Sequence, residues 1–240
     1  MVEATAVERI GRITHNCVGI YNDLCEASIK KTLDLARSVA PTDTSFGIQL
    51  AHAGRKASTQ RPWEGRKSLT EEEDPWITRS ASPAPFDIGW HVPQTLSETD
   101  MQKIKNKFVE ASIRSVKIGF DLIEVHATHG YLFHQFLSQI SNKREDKYGG
   151  SLENRMRFPL EVFTAIKKAL PNDFPLGVRI TGTEWEKNGI DENEAIIFAQ
   201  ELERIGCHYV CVSSGGNTPN PQIPIGPHYQ VHLAKTIKDN

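Results

Sequence analysis

Short apolar runs alternate along the chain with longer segments whose apolar residues recur every three or four positions. The first pattern predicts β-strands, and the second predicts amphipathic helices. Strands that alternate with helices form parallel sheets, because each helix returns the chain to the edge where the next strand begins. The predicted strands are residues 2–7, 46–52, 120–126, 175–181 and 208–214, and the predicted helices are residues 24–39, 97–118, 152–170, 191–206 and 229–238.

Two of the predicted helices begin at a serine whose side chain can cap them. Ser97 precedes Asp100 by three residues, which is an aspartate form of the capping box, and Gly119 ends the same helix. Ser151 is the corresponding cap of the next helix along the chain. These local signals place helix boundaries independently of the apolar pattern.

The alternation predicts an α/β fold, and further features favour a (β/α)8 barrel, the TIM-barrel architecture. The chain has 240 residues, whereas a typical barrel takes about 250. No GxGxxG segment follows the first strand and no GxxxxGK[ST] segment occurs, which disfavours dinucleotide-binding and P-loop folds. We expect a single domain over residues 1–240, with long connections at 53–96 and 127–150. Both connections follow strands, so they lie at the face where barrels carry their chemistry.

Composition and charge exclude several classes of function. Lys and Arg number 28 against 30 Asp and Glu, so the chain lacks the basic surface typical of nucleic-acid binding. No apolar run reaches the roughly 18 residues of a membrane span. The first residues lack a signal-peptide pattern, so we expect a cytoplasmic protein with no membrane partner. The 4 cysteines match no zinc or iron–sulfur spacing, and we expect Cys207 and Cys211 to be reduced thiols of the core.

Three predicted strands direct a polar side chain to the same side of the sheet. Side chains alternate between the two faces of a strand. Where every second residue is aliphatic, that face packs on helices, and the intervening Gln49, His126 and Arg179 turn into the barrel. A buried guanidinium is costly without an anion or strong acceptors. Either Arg179 forms an internal salt bridge with Glu124, or a polar, planar, partly anionic ligand lies across the barrel mouth.

The segment after the third strand adds further polar groups to the same place. His126 and His129 are followed directly by Gly130 and Tyr131. Two imidazoles can form a hydrogen-bonding fork for a carbonyl oxygen, and Tyr131 can supply a proton. Zinc is the alternative ligand, but no third Asp, Glu, His or Cys has an evident place beside the two histidines, so we expect no metal.

These residues lie in a long motif that resembles the old yellow enzyme family of FMN-dependent NAD(P)H oxidoreductases. The motif covers residues 124–138 and 141–158, and a second block of the resemblance covers residues 47–57. Weaker blocks lie at residues 2–7 and 212–215, so the resemblance extends over nearly the whole chain in family order. The stretches Gly-Arg-Lys-Ala-Ser and Arg-Pro-Trp-Glu-Gly are similar to the branch that contains xenobiotic reductases.

The resemblance implies FMN and NAD(P)H as cofactors and assigns several residues to the flavin. Ala4 would line the flavin at the end of its strand, and Gln49 would bond to the pyrimidine edge. Arg179 would lie near flavin N1 and O2 and stabilise the negative charge of the reduced ring. Lys56 would contact the substrate or the flavin, with a solvated surface lysine as the alternative.

The resemblance also implies the reaction. His126 and His129 would bind the oxygen of an activated alkene such as an enone. Tyr131 would donate a proton to the α-carbon while flavin N5 delivers hydride to the β-carbon. NAD(P)H would reduce FMN, leave, and be replaced by substrate in the same pocket. The expected partner is thus a small-molecule substrate, and a homo-oligomer remains open.

Compared with the family, the chain is expected to be short at both ends. Only five strands are predicted, which correspond to strands 2 to 6 of eight and describe an incomplete barrel. Phosphate loops follow the last two strands of such barrels, so we expect this chain alone to bind FMN weakly or not at all. The alternative function is therefore a truncated, non-catalytic remnant. A tRNA-modifying flavin reductase and a metal-dependent hydrolase are further alternatives with less support.

Overall fold

The computed structural model describes residues 1–240 as seven strands and six α-helices. The strands are β1 (Val2–Ala6), β2 (Gly47–Ala51), β3 (Arg79–Ser80), β4 (Gln94–Thr95), β5 (Leu122–Ala127), β6 (Leu176–Thr181) and β7 (Tyr209–Ser213). The helices are α1 (Asp23–Val39), α2 (Glu98–Ile118), α3 (Leu132–Leu137), α4 (Leu152–Ala169), α5 (Glu192–Arg204) and α6 (Val231–Asp239).

Five strands form one parallel sheet in the order β1-β2-β5-β6-β7, which is also their order along the chain. Every neighbouring pair is parallel, and a helix lies in each connection between them. Sequential parallel strands joined through helices are the repeating units of a (β/α)8 barrel. The prediction of a partial barrel with five strands is confirmed, and the two-residue strands β3 and β4 form a separate small sheet.

The outer face of the main sheet is aliphatic and packs against the helices. Ile48, Leu50, Ile123 and Ile180 have no exposed surface, and Val125 is 3% exposed. They belong to one hydrophobic cluster of 35 buried residues that extends into α2, α4 and α5. Burial of this face against the helices leaves the opposite, polar face of the sheet on the inside.

Helix boundaries agree with the capping signals in the sequence. The Ser97 hydroxyl accepts a hydrogen bond from Asp100 N at 3.1 Å, and Asp100 accepts one in return from Ser97 N at 3.2 Å. Gly119 ends α2 with φ of 101°, a conformation that favours glycine. At α4 the Ser151 hydroxyl accepts from Asn154 N at 3.3 Å.

Two connections are more ordered than the sequence pattern predicts. Residues 127–150 contain α3, whose six residues are all buried. A helix buried on every side has no amphipathic period, and this one also lacks a side-chain cap, so both usual signals are missing. Residues 53–96 contain three short 3₁₀ turns together with β3 and β4, so this long connection is partly ordered.

No helix combines the length and the apolar composition that a membrane span requires.

Candidate functional site

An open cavity of about 950 Å³ runs along the inner face of the sheet. The inner face is polar because the aliphatic residues of each strand alternate toward the helices. In register, Gln49 lies beside Glu124, and His126 lies beside Arg179, so these side chains leave neighbouring strands on the same face. Six of the residues singled out in the sequence line the cavity: Ala4, Gln49, His126, His129, Tyr131 and Arg179.

Gln49 connects two strands at the base of the cavity. Its Nε2 donates to Glu124 Oε1 at 2.7 Å, and its Oε1 accepts from Ala4 N at 3.2 Å. Glu124 is thus bonded to an amide, and the internal salt bridge to Arg179 that we considered does not form. The carboxylate and the guanidinium both remain on the inner face.

Arg179 has an unsatisfied donor. Its Nε is buried and has no hydrogen-bond partner in the chain. A buried donor without an acceptor costs roughly 1–3 kcal/mol, and more when the group is charged. The position therefore suits a bound group that presents acceptor atoms, such as ring nitrogens or carbonyl oxygens, to the guanidinium.

His126 is held as a neutral imidazole. Its Nδ1 accepts a hydrogen bond from Thr128 N at 3.3 Å, which assigns the ring proton to Nε2. Burial, together with the neighbouring His129 and Arg179, holds the pKa of His126 well below its usual range. A neutral ring with a proton on Nε2 is a hydrogen-bond donor that carries no charge.

His129 lies beside His126, with the two ring centroids 5.2 Å apart. Its Nε2 is 2.7 Å from the Ser213 hydroxyl at the end of β7. Burial and the nearby Arg179 lower the pKa of His129 to about 3. Both imidazoles are therefore neutral across the physiological pH range.

Tyr131 stands next to the two histidines with its hydroxyl protonated. Its ring centroid is 4.9 Å from that of His126, at an interplanar angle of 74°. Burial raises the pKa of Tyr131 to about 12. The arrangement offers two neutral imidazole donors and a protonated phenol to the same ligand, which is a combination suited to binding a carbonyl oxygen and delivering a proton.

Lys56 is not among the residues that line the cavity. Its Nζ donates to His129 O at 2.9 Å and to Gly216 O at 2.7 Å, and it lies 5.3 Å from the centre of the Tyr131 ring. Burial lowers its pKa to about 7. Lys56 thus ties two loops together beside the site and is not a solvated surface lysine, while its contact with the substrate or the flavin stays a prediction.

Cys211 lines the cavity, which corrects the expectation of a core thiol. It pairs in register with Arg179 on the inner face of β7, whereas Cys207 packs against the hydrophobic core as expected. Strand alternation could have found this residue, since Val210 and Val212 mark the outer face of the same strand.

The zinc alternative has no support in the side-chain geometry. No group of three or more His, Cys, Asp or Glu side chains is arranged to hold a metal ion.

Comparison with known families identifies the family of the chain. The sequence profile described as "NADH:flavin oxidoreductase / NADH oxidase family" matches residues 1–217. The chain belongs to this family. The resemblance to old yellow enzymes that the motifs indicated is thereby confirmed, while membership of the xenobiotic-reductase branch stays a prediction.

Curated relatives are similar over the whole chain. An NADH:flavin oxidoreductase of Gibberella zeae is 41% identical over 254 aligned residues, which cover 99% of this chain and 61% of the relative. An NADPH dehydrogenase of Bacillus cytotoxicus is 38% identical over 240 residues, which cover 100% of this chain and 63% of the relative. The chain therefore spans less than two thirds of the length of these relatives.

Solved structures show the same fold. Morphinone reductase superposes with a TM-score of 0.75 at 26% identity, over 98% of this chain and 64% of its own. A 2-naphthoyl-CoA reductase superposes with a TM-score of 0.78 at 24% identity, over 98% of this chain and 36% of its own. The second likeness concerns the fold alone.

Proposed function

We propose that this chain carries the flavin-ring and substrate side of an FMN-dependent NAD(P)H oxidoreductase that reduces activated alkenes, such as enones. The observation that carries the proposal is the convergence of His126, His129 and Tyr131 with Gln49 and Arg179 on one cavity. The family described as NADH:flavin oxidoreductases supports the flavin and the nicotinamide cofactor. The substrate class and the individual roles are our inference from the cavity.

The residues of the inner face fit the edge of a flavin ring. The unsatisfied Arg179 Nε needs an acceptor, and the ring nitrogen and carbonyl of a flavin pyrimidine are acceptors of this kind. The Gln49 amide, which now bonds to Glu124 and to Ala4 N, lies on the same inner face two strands away, on β2, and can bond to the same edge. When bound, FMN supplies hydride chemistry that no side chain of the protein has.

The chain's own residues supply binding and proton transfer. His126 and His129 are neutral donors, so they can hold a carbonyl oxygen without adding a charge to the cavity. Tyr131 remains protonated because burial raises its pKa to about 12, and its hydroxyl can give a proton to the carbon next to the carbonyl. The Ser213 hydroxyl, 2.7 Å from His129 Nε2, keeps that ring in place.

The decisive experiment combines flavin binding with turnover. The purified 240-residue chain is incubated with excess FMN, and bound flavin is measured by fluorescence titration before NADPH and 2-cyclohexenone are added. We expect enone-dependent NADPH oxidation and the formation of cyclohexanone. Excess FMN matters, because the expected weak affinity must not hide the chemistry.

Two results would reject the proposal. One is saturation with FMN without any enone-dependent oxidation of NADPH. The other is an absence of flavin binding at millimolar FMN, which would favour the non-catalytic alternative. Preference for NADH or NADPH is read from the same assay by exchanging the nucleotide.

A further inference from the structure

The peptide between the two candidate catalytic residues His129 and Tyr131 has an unusual backbone. Gly130 has φ of 73°, and His129 before it has φ of 58°. Left-handed backbone at a histidine is strained and persists only where the surroundings determine it. The directions of the His129 and Tyr131 side chains depend on this backbone, because Gly130 joins them.

Both polar groups of Gly130 are bonded to side chains of α3. Gly130 N donates to His134 Nδ1 at 2.8 Å, and Gln135 Nε2 donates to Gly130 O at 2.7 Å. His134 and Gln135 have no exposed surface. Neither residue lines the cavity, so neither has been given a function above.

The segment also packs tightly on the loop that follows β7. A Cβ atom added to Gly130 would lie 2.3 Å from Gly216 O, so any other residue would push the two loops apart. Only glycine combines that close approach with a left-handed backbone. Displacement of this peptide would therefore be transmitted directly to its two neighbours in the cavity.

A buried carboxylate faces His134 on the side away from Gly130. His134 Nδ1 accepts an N–H, so the ring proton lies on Nε2. Glu184 Oε1 lies 3.1 Å from that nitrogen without completing a hydrogen bond, and its negative charge favours a proton there. Glu184 is itself fixed, since it accepts from Ile190 N at 3.0 Å and from Asn217 Nδ2 at 3.1 Å. A carboxylate that selects the imidazole tautomer is a familiar device for orienting a histidine.

We propose that His134 and Gln135 are positioning residues that hold the Gly130 peptide in place. Through that peptide they orient His129 toward the substrate oxygen and Tyr131 toward the carbon that receives the proton. Glu184 keeps His134 in the accepting tautomer. The inference deepens the proposed function and rests on it for the identity of the reaction.

Four variants separate positioning from general stability. His134→Leu removes the acceptor of the Gly130 N–H, and His134→Asn keeps an acceptor oxygen near the position of Nδ1. Gln135→Met removes the donor to Gly130 O at similar volume, together with the bonds of the Gln135 amide to Ala53 O, Arg55 N and the Ser80 hydroxyl. The matched control is Asn142→Ala, because Asn142 also bonds main-chain carbonyls of this region, Phe136 O and Tyr148 O at 2.7 Å, but lies outside the cavity.

The first measurement is independent of flavin. Tyrosine labelled with ¹³C at Cζ reports the ionisation of Tyr131, whose pKa burial raises to about 12. We expect His134→Leu and Gln135→Met to lower the pKa of Tyr131 toward its ordinary value, because a released Tyr131 gains solvent. His134→Asn and Asn142→Ala should leave it unchanged.

The second measurement is enone reduction by the FMN-loaded chain. A displacement of about 1 Å costs on the order of a hundredfold in rate, so we expect a loss of that size in His134→Leu. We expect recovery to within about fivefold of the parent rate in His134→Asn, since its acceptor is retained. If the parent chain reduces no enone, the proposed function fails, while the Tyr131 titration still decides the positioning role.

The inference is overturned if His134→Leu and Gln135→Met match Asn142→Ala in the Tyr131 titration. Should His134→Leu fail to fold, Gln135→Met alone decides by the same criterion. Equal rates for His134→Leu and His134→Asn would equally contradict it, because the acceptor would then not matter.

Discussion

The two faces of the five-stranded sheet have opposite chemistry although they share the same backbone. On the outer face Ile48, Ile123 and Ile180 are fully buried against helices. On the inner face Gln49 and Arg179 line an open cavity, and one guanidinium nitrogen has no partner. The outer face stabilises the fold, whereas the inner face holds polar groups in positions that stability alone would not select.

Substitutions on the two faces of the sheet should therefore have different effects. A change on the outer face alters the free energy of unfolding through lost packing. A change on the inner face alters binding or rate and can leave the free energy of unfolding nearly unchanged, since unsatisfied polar groups add little stability. Four variants test the separation, and the first carries the largest expected effect.

Ile123→Ala should lower the free energy of unfolding by about 4 kcal/mol, because it opens a cavity in the fully buried outer face. Urea unfolding followed by circular dichroism measures the loss. The control Ile113→Ala removes the same atoms from a side chain that is 49% exposed on α2, and it should cost less than about 1 kcal/mol. Equal losses in the two variants would contradict the role of the outer face.

Tyr131→Phe should lower kcat for enone reduction by about a hundredfold or more, because the proton donor is removed. The Tyr131 hydroxyl has no hydrogen-bond partner within the chain, so the free energy of unfolding should change by less than about 0.5 kcal/mol. Tyr148→Phe, which removes a hydroxyl 3.5 Å from Glu161, is the control with unchanged kcat. Retained activity in Tyr131→Phe would exclude this residue as the acid.

Arg179→Met should weaken FMN binding by about thirtyfold, or ~2 kcal/mol, the usual contribution of a hydrogen bond to a charged group. Because Arg179 Nε is unsatisfied, the free energy of unfolding of the flavin-free chain should stay equal or rise. Flavin fluorescence titration measures the affinity, with Arg204→Met on exposed surface as the control. Unchanged affinity would place the flavin away from Arg179.

His129 makes stability depend on pH. Its folded-state pKa of about 3 lies below the unfolded value, so the stabilisation is complete above about pH 6.5 and is lost as the pH falls toward 3. When the pH falls from 7 to 5.5, the free energy of unfolding of His129→Gln should therefore decrease by about 1 kcal/mol less than that of the parent chain. Unfolding measured at both pH values tests this, with the exposed His228→Gln as control. Equal decreases in the parent chain and in His129→Gln would show that the pKa of His129 is not lowered in the folded chain.

Much of the fold followed from local pattern. The five strands, the caps of α2 and α4, and the inner position of Gln49, His126 and Arg179 all follow from alternation and capping, which act over a few neighbouring residues. The motif around His126 to Tyr131 identified the family before any geometry was known, since its residues are contiguous in the chain.

Other features had no local signal. Helix α3 is buried on all sides, so the apolar period that marks a helix is absent. Cys211 lines the cavity because β7 pairs with β6, and Lys56 lies behind His129 because two distant loops meet there. Each of these positions depends on contacts between segments far apart in sequence.

The sequence by itself determined the alternation of strands and helices, the polar inner face and the family motif. Only the tertiary structure decided which acceptor each polar group meets: Gln49 rather than Arg179 bonds to Glu124, and His134 with Gln135 holds the Gly130 peptide. The physical reason is the distance along the chain over which each interaction acts. Periodicity and capping are set by neighbours within a turn or a strand, whereas hydrogen bonds in a closed core depend on the packing of all its elements.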